Sequence, residues 1–431
     1  MNSKTGMKIF LDAGPGQERL GFFDSNNKLV EVWFNAIHRP NFIGSIHRVR
    51  ISQVFEKQYR ASASLVCGTM VSIRIRKSEK AIVKQGKTLI ITITAAPRDG
   101  KPWQAIPGGQ LFARDMILLA GIQGSKMTFQ LSSKIDQKNY DDLKKSLFDT
   151  VSSLLPNNLG IKLLNDCLEP DNFRECVIKL MKDWDQELAE MLDINSESIR
   201  QIYSGGGLKR RALRLYPEAE LIEEDSFSSL SKDWFDGVEA IDKSMDLALS
   251  SFHKLPHGGH LWLQRTNALW AVDVDGEANN NFRNLSLTAA REIADQIRLR
   301  GVSGPVFIDL PRLNSKENVS FVKALKAHLA ESPRRPKYLG RTRGRLFELW
   351  VPHGEMALVD IVNDQPAQSA LFGLRMVARE RSFKPVKLAV SQSMADWLNA
   401  AGKPALESVD RPLTLEVWSS DDDKAVPWIV D

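Results

Sequence analysis

The segment from residue 260 to 309 constrains the fold more tightly than any other. "HLWLQRTNALWAVDVDG" reads as a strand, a short turn around "TNA" and a second strand. "LSLTAAREIADQIRLR" then follows an amphipathic helical period, and "GPVFIDLP" is a buried strand ending in Asp309. Strand, helix and strand at this spacing predict a right-handed crossover that joins two parallel strands. Alternation along the first of these puts Leu269, Ala271, Asp273 and Asp275 on one face and Trp270, Val272 and Val274 on the other. Asn284 or Ser286 is expected to cap the helix, with Gly301 just past its end.

A parallel crossover brings the carboxyl ends of its two strands side by side, the usual place for ligands on open α/β sheets. Asp273 and Asp309 are therefore expected to be neighbours. Two hard oxygen anions suit magnesium or manganese, which bind one or two carboxylates plus waters and phosphate oxygens. Such a cation could activate water toward a phosphodiester and stabilise the charge that develops there. The plainer reading is that each aspartate ends its strand by capping a turn.

Charge is unevenly distributed along the 431 residues, and the net +5 conceals this. Between Arg39 and Lys101, thirteen Lys/Arg face three acids. Between Glu218 and Asp246, ten acids face only Lys232 and Lys243. A second basic block, "RRPKYLGRTRGR", holds Arg334, Arg335, Lys337, Arg341, Arg343 and Arg345 with no acid. Segregation of this kind suggests a polyanion path, although one basic stretch alone is usually a solvated face.

The first basic region alternates in short strands, "HRVRISQVF", "ASASLVCG", "VSIRIRK" and "KTLIITITAA", which suggests a small barrel of OB type, a platform for single-stranded nucleic acid. Phe55 and Tyr59 are the aromatic residues that this stretch offers for stacking. Upstream, "MKIFLDAG" and "ERLGFFD" form an expected hairpin closed by "PGQ", and "KLVEVWFN" is a third strand. Helical periods mark "NYDDLKKSLFDTVSSLL", "FRECVIKLMKDWDQELAEML" and "KDWFDGVEAIDKSMDLALSSF". "YSGGGLKRR" lacks both the P-loop lysine-serine pair and the G-x-G-x-x-G spacing, and reads as a flexible turn.

Other chemistries find little support. Cys67, Cys167 and Cys176 make no C-x-x-C pair, which argues against structural disulfides and cysteine-ligated zinc. His253, His257 and His260 surround Pro256 and two glycines, a turn rather than a helical zinc motif, and read as surface or packing residues. There is no G-x-S-x-G elbow. With 43% hydrophobic residues the chain can bury several cores, and three or more units are expected. No secretory h-region and no run of about 20 apolar residues is present, so the cytoplasm is the expected location and no membrane is expected as a partner.

Three stretches together resemble the catalytic core of the ribonuclease E/G family, bacterial endonucleases that cut single-stranded, often AU-rich RNA. These are "LPHGGHLWLQRTNALWAVDVDG", "NLSLTAAREIADQIRLRGVSGPVFIDL" and "GRTRGRLFELW". The likeness in order and spacing runs over about 100 residues and extends more weakly to "MKIFLDAGPGQERLGFFDSNNKLVEVWF", "RALRLYPEAELIEEDSF" and "PVKLAVSQSMADWLN". The resemblance implies a multidomain α/β architecture. An RNase H-like framework (1–43 and 193–252) is split by an OB-type RNA-binding barrel (44–97) and a degenerate 5′ sensor region (98–192). A DNase I-like catalytic domain (253–352), a linker (353–365) and a small C-terminal α/β domain (366–431) follow.

The resemblance also implies roles for residues. Asp273 and Asp309 become the magnesium-binding pair, Asp275 stands where the family has an asparagine, and Arg343 falls on a family arginine. The remaining cations of the second block, with Arg74, Arg76 and Lys101, become candidates for positioning RNA. Departures are equally specific. Ser64 and Arg74 replace the barrel's stacking phenylalanines, and Leu164 and Asn165 replace the arginine and threonine of the 5′-monophosphate sensor. The zinc-link cysteines are absent from "VPHGEMALVDIVND", so zinc is not expected, and any homo-oligomer would form without a zinc link. The expected function is magnesium- or manganese-dependent endonucleolytic hydrolysis of single-stranded RNA in processing or decay. The alternatives are an RNA-binding protein with little or no activity, as in ribosome maturation, and a phosphoesterase for small molecules.

Overall fold

The computed structural model describes residues 6–98, 100–120, 128–132, 140–155, 159–164, 170–184, 196–223, 232–256, 258–277, 282–380, 384–418 and 426–430. The chain divides into two compact units, 1–41 with 218–431, and 42–217. The first opens with the expected meander of β1 (Lys8–Gly14), β2 (Gln17–Phe23) and β3 (Leu29–Ala36), antiparallel throughout. Ile9, Leu20, Phe22 and Trp33 are buried.

The second unit contains the barrel. β4 (Ile46–Phe55), β5 (Arg60–Ser64) and β6 (Met70–Arg74) pair in order. β7 (Thr88–Ala95) pairs with β4, and β8 (Trp103–Pro107) pairs antiparallel with β7 and parallel with β6. The five strands close on themselves in the order β4-β5-β6-β8-β7, as in an OB-type barrel, which leaves no unpaired edge. The four strands legible in the sequence are all present, and the closing fifth lies past the expected edge at residue 97. Alternation buries Val49, Ile51, Ala61, Ala63, Val71, Ile73, Ile91, Ile93 and Ala105.

β9 (Gly109–Phe112), β10 (Met116–Ala120), β11 (Thr128–Leu131) and β12 (Gly160–Leu163) form a second sheet in this unit. Helices Tyr140–Val151 and Pro170–Asp183 contribute Leu147, Val151, Phe173, Val177 and Leu180 to its core. β13 (Arg200–Tyr203) joins the barrel through β4. The glycine run that follows is a helix start rather than a flexible turn: Gly206, at φ +77°, is the N-cap of helix Gly207–Leu215. Arg214 pins that helix by donating to Asp183 and to the Gly205 carbonyl, each at 2.9 Å.

The first unit resumes with β14 (Glu220–Ile222), parallel to β1, and helix Lys232–Leu249. Then come β15 (Phe252–Lys254), β16 (His260–Arg265) and β17 (Trp270–Asp275), helix Phe282–Leu299 and β18 (Gly304–Asp309). Helix Ser315–Ala330, β19 (Lys337–Arg341) and β20 (Phe347–Val351) complete a six-stranded sheet in the order β15-β16-β17-β18-β20-β19. β17 and β18 are parallel, as the crossover requires.

Leu285, Ala289, Ala290, Ile293, Ala294 and Ile297 recur at helical spacing and, with Phe321, Leu325 and Leu329 of the next helix, meet the buried face of the sheet. Asn314 caps that second helix by accepting from the Glu317 N–H at 3.0 Å, and Glu317 returns the bond. The expected caps of helix Phe282–Leu299 are not caps. Asn284 and Ser286 lie inside it, and Ser286 Oγ donates to the Arg283 carbonyl at 2.9 Å. The helix starts earlier than its apolar period, which registers only core-facing turns. At the other end Gly301 takes φ +63°, and Val302 N–H closes onto the Ile297 carbonyl at 3.0 Å.

The C-terminal part is a small α/β layer. It contains helix Ala367–Arg379, β21 (Val386–Ser391), helices Gln392–Asn399 and Lys403–Glu407, β22 (Leu413–Trp418) and β23 (Trp428–Val430). Leu371, Leu374, Leu388, Val390, Met394 and Leu398 form its core. No described helix is long and apolar enough to cross a membrane.

Candidate active site

The site begins with the alternation of β17. Trp270, Val272 and Val274 are buried against the helices, so Asp273 and Asp275 face the open side of the sheet. Helix Phe282–Leu299 returns the chain to β18, and the register sets Asp273 directly beside Asp309, each exposed. Neighbouring strands lie about 4.8 Å apart, and Asp275 stands roughly 7 Å along β17 from Asp273. The three acids predicted from the sequence are thus brought to one end of one face.

Their electrostatics set them apart from other acids of this unit. Glu31 pairs with Arg298 at 2.9 Å, and Glu292 pairs with Lys28 at 3.1 Å and His253 at 3.0 Å. Among the described residues Asp273, Asp275 and Asp309 have no ion-pair partner. Partial burial and then the negative charges of Asp275 and Asp309 push the Asp273 carboxyl up from its ordinary range, against a smaller opposing pull from the Val274 backbone N–H. An unneutralised carboxylate pair suits a hard divalent cation. No three His, Cys, Asp or Glu residues converge on a metal position among the described residues. Two carboxylates would leave the other coordination positions to water and phosphate oxygens, a division that suits magnesium better than a closed zinc site.

The second basic block surrounds the β19–β20 hairpin, and the fold divides it. β20 runs antiparallel to β18 with Phe347 opposite Ile308, so the turn 342–346 lies at the Asp309 end of the sheet. Arg343 and Arg345 are exposed in that turn, with Arg345 at φ +71°. Arg341 lies 4.6 Å over the Phe347 ring and donates to the Arg345 carbonyl at 2.9 Å. Lys337 is exposed opposite Trp350 at the far end of β19, about 13 Å from Arg341. The Arg334 guanidinium ties the carbonyls of Val302 and Pro352 at 2.8 and 2.6 Å. Arg335 occupies a turn at φ +53°.

The other candidate cations belong to the second unit. Arg74 is exposed on β6, Arg76 lies 4.0 Å from Glu79, and Lys101 is exposed beside the Arg98 bridge. Ser64 is exposed at the end of β5, while Phe55 and Tyr59 are each 36% exposed, with Lys80 4.5 Å above the Tyr59 ring. Leu164 N–H donates to the Asp115 carbonyl at 2.7 Å, whereas Asn165 and His257 lie outside the described residues. His253 is held by Glu292, and His260 packs 4.9 Å from Phe252. Sequence reasoning passed over Trp262, 37% exposed on the acidic face. The alternation of "HLWLQR", with Leu261 and Leu263 inward, carried that signal.

A closed OB-type barrel in one unit and a layered α/β sheet with paired carboxylates in the other define a mixed α/β protein. The family model "Ribonuclease E/G family" matches residues 226–350, which span the carboxylate sheet and the arginine hairpin. The chain is 19% identical over 361 residues to Ribonuclease G of Salmonella typhimurium (strain SL1344) and 20% identical over 361 residues to Ribonuclease G of Escherichia coli (strain K12), with 72% of each chain covered in both cases. It is 26% identical over 204 residues to the putative ribonuclease E of Buchnera aphidicola subsp. Baizongia pistaciae (strain Bp), covering 45% of this chain and 44% of that one. Over residues 226–350, and more weakly over most of its length, the chain is thus similar to the ribonuclease E/G family.

Proposed function

We propose that the protein is a divalent-metal-dependent endoribonuclease that hydrolyses phosphodiesters of single-stranded RNA and leaves a 5′-phosphate on the downstream fragment. The observation that carries this reading is the Asp273–Asp309 register pair, without an ion-pair partner among the described residues. Asp273 and Asp309 would hold magnesium or manganese. When bound there, the cation supplies charge neutralisation at the phosphate and acidifies water. Asp275, where the family has asparagine, adds negative charge that attracts the cation and repels the phosphate backbone. Arg343, exposed in the turn at the same end of the sheet, would offset that repulsion through charge-assisted hydrogen bonds to phosphate oxygens.

The domain reading belongs to the same proposal. Residues 253–352 would be the DNase I-like catalytic domain, 44–97 extended to Pro107 the RNA-binding barrel, and β1–β3 with 193–252 the RNase H-like framework. Arg74, Arg76 and Lys101 would attract RNA through charge, with a strong dependence on salt. A second reading, RNA binding without cleavage, draws on the exposed Ser64 and Arg74 at the family's stacking positions.

One assay separates the two: cleavage of an AU-rich single-stranded RNA in magnesium by the wild type, Asp273→Asn and Asp309→Asn. The nuclease reading expects each variant to lose about 100-fold or more in rate. Equal rates, or none in all three, would remove it.

A further inference from the structure

Across the open face of the catalytic sheet the register aligns one row of side chains. Phe252 on β15 is opposite Trp262 on β16, Trp262 opposite Asp273 on β17, and Asp273 opposite Asp309 on β18. Register partners share a face and stand one strand spacing apart, about 4.8 Å. We propose that Trp262 is the stacking platform for a nucleobase that flanks the scissile phosphate. The proposal rests on the reading of Asp273 and Asp309 as the cleavage site, and it makes Trp262 a positioning residue within it.

Three features point to a base rather than to another occupant. Leu261 and Leu263 are buried while Trp262 is 37% exposed, so alternation presents the indole on the same side as the acids. The ring is held from its β15 side: Phe252 meets it edge-on, with centroids 5.0 Å apart and planes at 66°, and Phe252 also contacts His260 at 4.9 Å. The Phe252–Trp262–Asp273–Asp309 row contains two acids and no cation, with Asp275 beside it, so it does not attract a phosphate by charge. Stacking supplies affinity that does not depend on charge and tolerates any base. It would also supply an aromatic contact at the reacting bond in a chain whose barrel carries Ser64 and Arg74 at the family's stacking positions. Trp350, the other exposed tryptophan of this sheet, pairs with Pro305 at the opposite end of β18, about 13 Å from Asp309, and lies too far away for the same role.

The test is a coupling measurement on the full chain. Binding of a fluorescein-labelled ten-nucleotide single-stranded RNA is followed by anisotropy in an Asp273→Asn/Asp309→Asn background, with and without Trp262→Ala. The same RNA is also made abasic at each nucleotide in turn. Trp262→Ala is expected to weaken binding about 5- to 150-fold, the range of one stacked base. At one position the abasic penalty should disappear in the alanine variant, and Trp262→Phe should restore most of both effects. An unchanged affinity, or identical abasic penalties at every position with and without Trp262, would overturn the proposal. Wild-type cleavage in magnesium is run in parallel. Lost coupling with cleavage intact removes only Trp262, whereas coupling without cleavage removes the nuclease reading and leaves Trp262 as an RNA contact.

Discussion

Replacing Asp273 by asparagine removes one of two carboxylates that the parallel register sets side by side. At a separation of about 5 Å their repulsion is about 0.8 kcal/mol in the dielectric of bulk water and about 3 kcal/mol at an effective dielectric of 20. Both side chains are exposed, so screening favours the lower end, about 1 kcal/mol. Without divalent cations, Asp273→Asn and Asp309→Asn are therefore expected to melt about 1–2 °C above the wild type. Magnesium relieves the same repulsion in the wild type. At ten times its dissociation constant it should stabilise by about 1.4 kcal/mol, and it should leave the double variant unmoved. Thermal unfolding in EDTA and along a magnesium titration reads both effects without any RNA. A variant that melts at or below the wild type in EDTA would refute the electrostatic reasoning. An equal magnesium shift in wild type and double variant would refute the metal assignment.

Two further outcomes follow from the packing of helix Phe282–Leu299. Burial opposes ionisation of Glu292, but His253, Gln296 and Lys28 outweigh it and hold the carboxyl down to about 2. The sign follows directly: this stabilisation is present above the ordinary glutamate range and is lost as pH falls from about 4.5 toward 2. Glu292→Gln should cost about 2–3 kcal/mol at neutral pH and almost nothing near pH 2, and an unfolding series that finds a pH-independent loss would exclude the ion-pair origin. Gly301→Ala should destabilise by about 1–2 kcal/mol, because φ is +63° and a Cβ would sit 2.9 Å from the Met356 carbonyl oxygen. Urea unfolding of that variant at wild-type stability would contradict the helix-end geometry.

The crossover was legible from sequence because its signals are local and strong. Two strands with inward Trp270, Val272, Val274, Val306 and Ile308 flank one amphipathic helix, and a right-handed return admits essentially one arrangement. Barrel strands β4–β7 were legible for the same reason. β8 was not, because "WQAIP" is short and its pairing with both β6 and β7 is a long-range event without a local signature. The glycine run misled because glycine serves equally as a loop residue and as a left-handed helix cap, and tertiary contacts such as the Arg214 and Arg211 ties decide between them. Asn284 and Ser286 looked like caps because they flank Leu285, where the apolar period starts, and that period marks where a helix touches the core rather than where it begins.

By itself, therefore, the sequence determined which faces of β17 and β18 carry acid, and that their strands run parallel. Side-chain alternation and crossover handedness are short-range properties of an L-amino-acid chain. Tertiary structure alone decided which cations lie toward that end of the sheet. A run of six lysines and arginines says nothing of direction until β20 folds back on β18, which sets the turn holding Arg343 and Arg345 at the Asp309 end and leaves Arg334 tied to the carbonyls of Val302 and Pro352. It also decided that Trp262 stands next to Asp273, because register between β16 and β17 is set by the turn and the buried faces together.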